Sequence, residues 1–121
     1  MTKEEFINIA EHSTDRVDML QKMGKTYSEQ NVQEYIRKPR ISFGITIDEM
    51  FGHFLTPTMS KVIYMQHVSG SISDDNVLEK MGYPKTKENR IKYVIDLGRK
   101  HGFKTTDIQK MFQSGSSTVG T

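Results

Sequence analysis

Apolar residues in this chain recur in short runs at i, i+3, i+4 spacing, and Ser, Thr, Gly and Pro punctuate them throughout. A chain divided this way builds short helices joined by tight turns. Each is too small to persist alone, so they must pack on one another. Strand-like alternation is confined to ISFGITI at 41–47. The expected fold class is all-α.

The punctuation predicts the elements. Thr2 and Glu5 stand at capping-box spacing before Phe6, Ile9 and Ala10. Ser13 or Thr14 is the expected cap of DRVDMLQKM, with Val17, Leu20 and Met23 inward and Gly24 as the stop. Ser28 opens SEQNVQEYIRK, with Val32, Tyr35 and Ile36 on one stripe. Pro39 is expected to end it, leaving RKPRISFG as an extended basic connector. Thr46 and Glu49 form a second capping box ahead of Ile47, Met50, Phe51 and Phe54. Thr56-Pro57 reads as a helix start that places Met59, Val62, Ile63 and Met65 largely inward. Ser73 caps DDNVLEKM, and Gly82 ends it. Thr86 opens the longest helix, packing Ile91, Val94 and Ile95 and closing at Gly102. Thr105 or Thr106 caps the last.

Self-similarity organises these elements. LQKMG at 20–24, LEKMG at 78–82 and IQKMF at 108–112 read alike, and DEMFG at 48–52 fits the same slot. The anchors Met23, Phe51, Met81 and Met111 lie 28, 30 and 30 residues apart. LQKMG and LEKMG are each followed by an Asn (Asn31, Asn89) and then a Tyr (Tyr35, Tyr93) at equal distance. The period suits one helix-turn-helix pair. The expectation is a small helical domain over 1–121, built of consecutive helix-turn-helix units at 14–41, 46–69, 73–102 and 105–121. The last would be incomplete, as in a piece of a longer multidomain chain, or its final residues would be a frayed tail with no motif function.

Charge is unevenly spread over a chain of net +2. Residues 1–34 carry four basic and seven acidic groups, and 35–41 carry three basic and none acidic. Residues 42–84 carry two and five, and 85–110 carry eight and three. Two basic blocks on a near-neutral chain point to a polyanion, although a solvated helix face gives the same pattern. Cysteine is absent, which excludes disulfides and thiolate metal sites. No apolar run reaches the roughly 20 residues of a membrane span, and MTKEEFINIAEH is too acidic for a signal peptide. A cytoplasmic setting and no membrane partner are expected.

TTDIQKMFQSGSSTV resembles the helix-turn-helix superfamily of DNA-binding domains through Ile108, Met111, Phe112, Ser117, Thr118 and Val119. It departs at Gln109, where a small residue is usual, and at Gln113, where Gly usually makes the turn. SDDNVLEKMGYPKTKENRIKYV is a second match, through Val77, Leu78, Met81 and Gly82. The serial layout over 14–121 is similar to DNA-binding regions of phage homing endonucleases and of mobile-element replication initiators. The resemblance implies sequence-specific binding of double-stranded DNA by a replication initiator, nuclease or repressor.

Arg37, Lys38 and Arg40 would then hold phosphates or enter a minor groove, and Lys85, Lys92, Arg99, Lys100 and Lys104 would hold phosphates. Lys87, Asn89 and Arg90 open the longest helix and would read base edges. Ser116, Ser117 and Thr118 would do so in the fourth unit. A homodimer is a further expected assembly.

Other chemistry is thin. Glu49 and His53 lie one helical turn apart but make too small a metal site, and no cofactor is expected. There is no HExxH, phosphate loop or nucleophile elbow. Glu4-Glu5, Asp48-Glu49 and Asp74-Asp75 sit in first helical turns, where capping and the helix dipole account for them. An enzyme is not expected. The rival reading is a regulatory module that binds another protein through a methionine-rich helical surface, since eight methionines suit an adaptable groove.

Overall fold

Eight helices and no strand are present among residues 1–112, which the computed structural model describes. The chain divides into two compact units, Met1–Thr56 and Pro57–Thr121.

In the first unit, α1 spans Lys3–Glu11 and α2 spans Arg16–Lys22. Helix α3 covers 29–42 without a break, as Glu29–Val32, a π-helical segment Gln33–Arg37, and Lys38–Ser42. Helix α4 spans Ile47–His53. In the second unit, α5 spans Lys61–Ser69 and α6 spans Asp74–Met81. Helix α7 covers 87–100, as Lys87–Asn89, a π-helical segment Arg90–Asp96, and Leu97–Lys100. Helix α8 spans Thr105–Met111.

The two units are the same structure written twice, without a gap, 58 positions apart (82 − 24 for the first Gly pair). Gly24 and Gly82 both take positive φ, as do Gly44 and Gly102. Helices α2 and α6 close with the same 6→1 bond, Lys25 N–H to the Leu20 carbonyl and Tyr83 N–H to the Leu78 carbonyl, each 2.9 Å. The buried Ser13 and Ser71 hydroxyls each donate to the carbonyl four residues back, Ile9 and His67, at 2.6 Å. Each unit also has its own core. Phe6, Ala10, Met19, Leu20, Ile36 and Met50 are buried in the first, and Tyr64, Val68, Val77, Leu78, Val94 and Ile108 fill the matching places in the second.

This arrangement explains the uneven spacing in the sequence. The first two steps, 28 and 30 residues, together make one period of 58, and the last anchor, Met111, stands two residues past Gln109, the counterpart of Phe51. The segment 46–69, read as one unit, contains α4 of the first unit and α5 of the second. There are two compact units, each with four helices among the described residues, and their boundary falls inside the expected unit 46–69.

Several boundaries differ from expectation, each for a local reason. Pro39 does not end α3. Ahead of it Lys38 N–H bonds five residues back, to the Gln33 carbonyl, and this widened turn accommodates a residue with no N–H to give. Helix α7 has the same π-helical segment without a proline, so the widening belongs to the repeat and Pro39 exploits it. RKPR is thus helical, not an extended arm. Thr56-Pro57 starts no helix; Ser60 does, its hydroxyl accepting from Ile63 N–H at 3.3 Å. Asp15, not Ser13 or Thr14, caps α2. Thr105 and Thr106 lie within α8, and the Asp107 carboxylate accepts from Lys104 N–H at 2.9 Å. Helix α5 buries Tyr64 and Val68, leaving Val62, Ile63 and Met65 exposed and Met59 partly buried.

Candidate nucleic-acid interface

The turn between α6 and α7 is built from the chain's own hydrogen bonds. Gly82 reverses the backbone at φ +83, and the Thr86 hydroxyl caps α7 by accepting from Asn89 N–H at 3.1 Å. The Asn89 side-chain amide reaches back to the Pro84 carbonyl at 2.9 Å. Asn31 does the same in the first unit, donating to the Thr26 carbonyl at 2.8 Å. The Asn expected to read bases is thus a turn-closing residue in both copies. Tyr83 lies flat on Tyr93, ring centroids 3.9 Å apart and 6° from parallel. At the matching place in the first unit, the Lys25 ammonium sits 4.7 Å over the Tyr35 ring.

Four of the predicted cations cluster at this turn and in the first turns of α7. Lys87 is exposed, and Lys85 lies 3.6 Å from Glu79. Lys92 lies 5.8 Å from the Tyr93 ring centre, and Arg90 is 3.9 Å from Asp74. Partial burial raises the Asp74 carboxyl above the usual carboxylate range, and the Arg90 charge opposes that shift. Arg99 and Lys100 sit at the far end of α7, half-buried. They are about 20 Å from Lys87 at 1.5 Å per residue. Burial lowers the Lys100 ammonium from its ordinary range. Lys104 is exposed just ahead of α8.

The first basic block is placed differently. Arg37, Lys38 and Arg40 lie in the second half of α3, in the other unit. The Arg37 guanidinium donates to Gln33 at 3.4 Å, and Lys38 pairs with Glu34 at 3.1 Å with both side chains exposed. Arg40 donates to the Ile45 carbonyl at 2.8 Å and holds the end of α3 to the loop before α4; burial lowers its pKa. Ser116, Ser117 and Thr118 lie outside the described residues. Lys85, Lys87, Arg90 and Lys92 thus share the α6–α7 turn and the first turns of α7, while Arg99 and Lys100 lie at the far end of that helix.

Sequence reasoning missed the relation that sets this cluster apart. At the matching positions of the first unit, Lys85, Lys87, Arg90 and Lys92 are replaced by Tyr27, Glu29, Val32 and Glu34. The turn, its cap and its Asn bond are the same in both units, yet the charge is inverted. The signal was available as the offset between Asn31 and Asn89. Over whole units, residues 1–56 carry seven basic and nine acidic groups, and residues 57–121 carry ten and six.

Among the described residues no group of three or more His, Asp or Glu side chains could hold a metal ion. Glu49 is engaged in the Thr46 capping box, and His53 lies 3.7 Å from Glu11. Among the same residues no helix is long and apolar enough to cross a membrane.

The protein is an all-α chain of two tandem units, each with four helices among the described residues. No family model, curated protein or solved structure matches it.

Proposed function

We propose that the second unit binds double-stranded DNA with the α6–α7 turn and the start of α7. The observation that carries this reading is the charge inversion between the two copies. Since the first unit builds the same turn with Glu29 and Glu34, the turn itself does not require lysines at 87 and 92. Lys85 and Lys92 would hold phosphates. Lys87 and Arg90, in the first turns of α7, are the candidates for base edges. Asn89 would position the turn without touching a base. A role in a replication initiator, nuclease or repressor of a phage or mobile element, and a cytoplasmic setting, belong to the same proposal.

The rival reading, a methionine-rich protein-binding groove, has less support. Met19 and Met50 are buried, and Met23, Met59, Met81 and Met111 pack partly buried against the two cores. They are spent on packing.

The test exchanges residues between the copies. Lys87→Glu with Lys92→Glu places in the second unit what the first already carries, so the fold should hold. Fluorescence anisotropy with a labelled duplex at about 50 mM salt should show binding by the parent and at least about a tenfold loss in the double variant. The slope of log K against log salt should shrink by about one, since the phosphate that Lys92 no longer neutralises removes roughly 0.9. Equal affinity and equal slope for parent and variant would sink the reading.

A further inference from the structure

We propose that the outward face of α5 is a self-association surface, through which two copies of this chain pair helix to helix. Val62, Ile63 and Ile72 are 64%, 47% and 69% exposed, and Met65 is exposed beside them. The inward side of α5 is already filled by Tyr64 and Val68, so Val62, Ile63 and Met65 lie outside the unit's core. Exposed apolar side chains grouped on one surface are a common mark of an interaction site.

The first unit supplies the control. Its α1 has the same length and position but carries Glu4, Glu5 and Ile7 where α5 has Val62, Ile63 and Met65, and Thr14 where the second unit has Ile72. The fold therefore does not require apolar side chains at the places of Val62, Ile63 and Ile72, whereas Ile7, the counterpart of Met65, packs partly buried on the first core. In the second unit they serve something outside the unit's own packing.

Electrostatics and area select a second copy as the occupant. The outward face of α5 (Val62, Ile63, Met65, Gln66, Ser69) holds no ionised side chain. Lys61, at its end, lies 5.1 Å over the Phe103 ring. Pairing this face with itself buries no charge. A partner face carrying carboxylates would instead lose their hydration in such an apolar contact. Two-fold pairing of one patch with itself is also the commonest mode of self-association. Four such side chains expose on the order of a few hundred Å², against about 800 Å² per partner in a standard stable interface. The pair is consequently weak and reversible. It also brings together two units of net +4 each (ten basic, six acidic), so added salt should strengthen it by screening their repulsion. That is the opposite sign to DNA binding, so the two readings stand or fall separately.

Sedimentation equilibrium without DNA, up to about 1 mM protein and at low and high salt, tests the proposal. The parent should associate reversibly, more strongly at high salt. The triple variant Val62→Glu, Ile63→Glu, Ile72→Thr, which installs the first unit's residues, should keep its helical circular dichroism and associate at least about tenfold more weakly. Dilution of the labelled parent, followed by amide NMR, should give shifts confined to α5 and the turn at 70–73, a readout independent of any variant. A parent that stays monomeric at both salts would overturn the proposal and leave the face to a different protein. So would a well-folded triple variant that associates as the parent does, or dilution shifts that fall elsewhere.

Discussion

Gly98 lies against the ring of Tyr64, and a Cβ at this position would stand 3.0 Å from the Tyr64 Cζ, closer still to its hydroxyl, and 2.5 Å from the Ile108 Cδ1. Helix α7 approaches α5 this closely because Tyr64 reaches under it to donate a 2.5 Å hydrogen bond to the Val94 carbonyl. The first unit has Phe6 and Arg40 at these two positions. Tyrosine and glycine therefore go together, as do phenylalanine and arginine.

Gly98→Ala should accordingly destabilise the second unit by about 1–3 kcal/mol, the usual cost of forcing extra volume into a packed site. Gly98 does not need unusual backbone angles, so the cost comes from space alone. Chemical denaturation of parent and variant would measure it. Equal midpoints would show that α7 can shift away from α5 freely.

Alkaline pH should weaken the same contact. Burial holds the Tyr64 hydroxyl well above the usual phenol range, and Asp74 adds to the shift. The unfolded chain releases this proton near pH 10, while the folded chain keeps it. The folded state then binds the extra proton, so stability falls as pH rises past about 10. Tyr64→Phe, the first unit's choice, should flatten that fall. Melting temperatures of both proteins at pH 8 and pH 11 would compare them.

The turn-closing asparagines give a paired prediction. Asn31→Ala and Asn89→Ala should each cost about 0.5–1.5 kcal/mol, since each removes one hydrogen bond to a turn carbonyl. Asn89→Ala should leave the preference for one DNA site over random duplex unchanged, whereas Lys87→Ala or Arg90→Ala should reduce it. Competition titrations would decide. A lost preference in the Asn89 variant would restore this residue to base reading.

Core substitutions should rank by burial rather than by place in the repeat. Leu78 is fully buried and Met81 only partly, though both belong to LEKMG. Leu78→Ala should cost about 3–5 kcal/mol and Met81→Ala clearly less. Thermal melts that reverse this order would mean that α6 packs on a different face.

Fold class and most helix starts were legible in the sequence because they are local. The Thr2, Ser28, Thr46, Ser73 and Thr86 caps each act within three residues, and the turns at Gly24, Gly82 and Gly102 need a positive φ that glycine adopts without strain. Charge blocks could also be counted directly. Tertiary structure alone decided three matters. It decided that Pro39 sits inside a helix, because the π-helical segment ahead of it had no recognised sequence mark. It decided which side of α5 faces in, because Val62, Ile63, Tyr64 and Val68 are all apolar enough, and contacts with distant residues, among them the Tyr64 bond to Val94, 30 residues away, orient the helix. It also decided the true period, since the pairing of Met19 with Val77, or Phe6 with Tyr64, is kept by shape and burial rather than by identity. Local hydrogen bonds leave their signature in neighbouring letters; packing between distant residues constrains volume, which many different letters can fill.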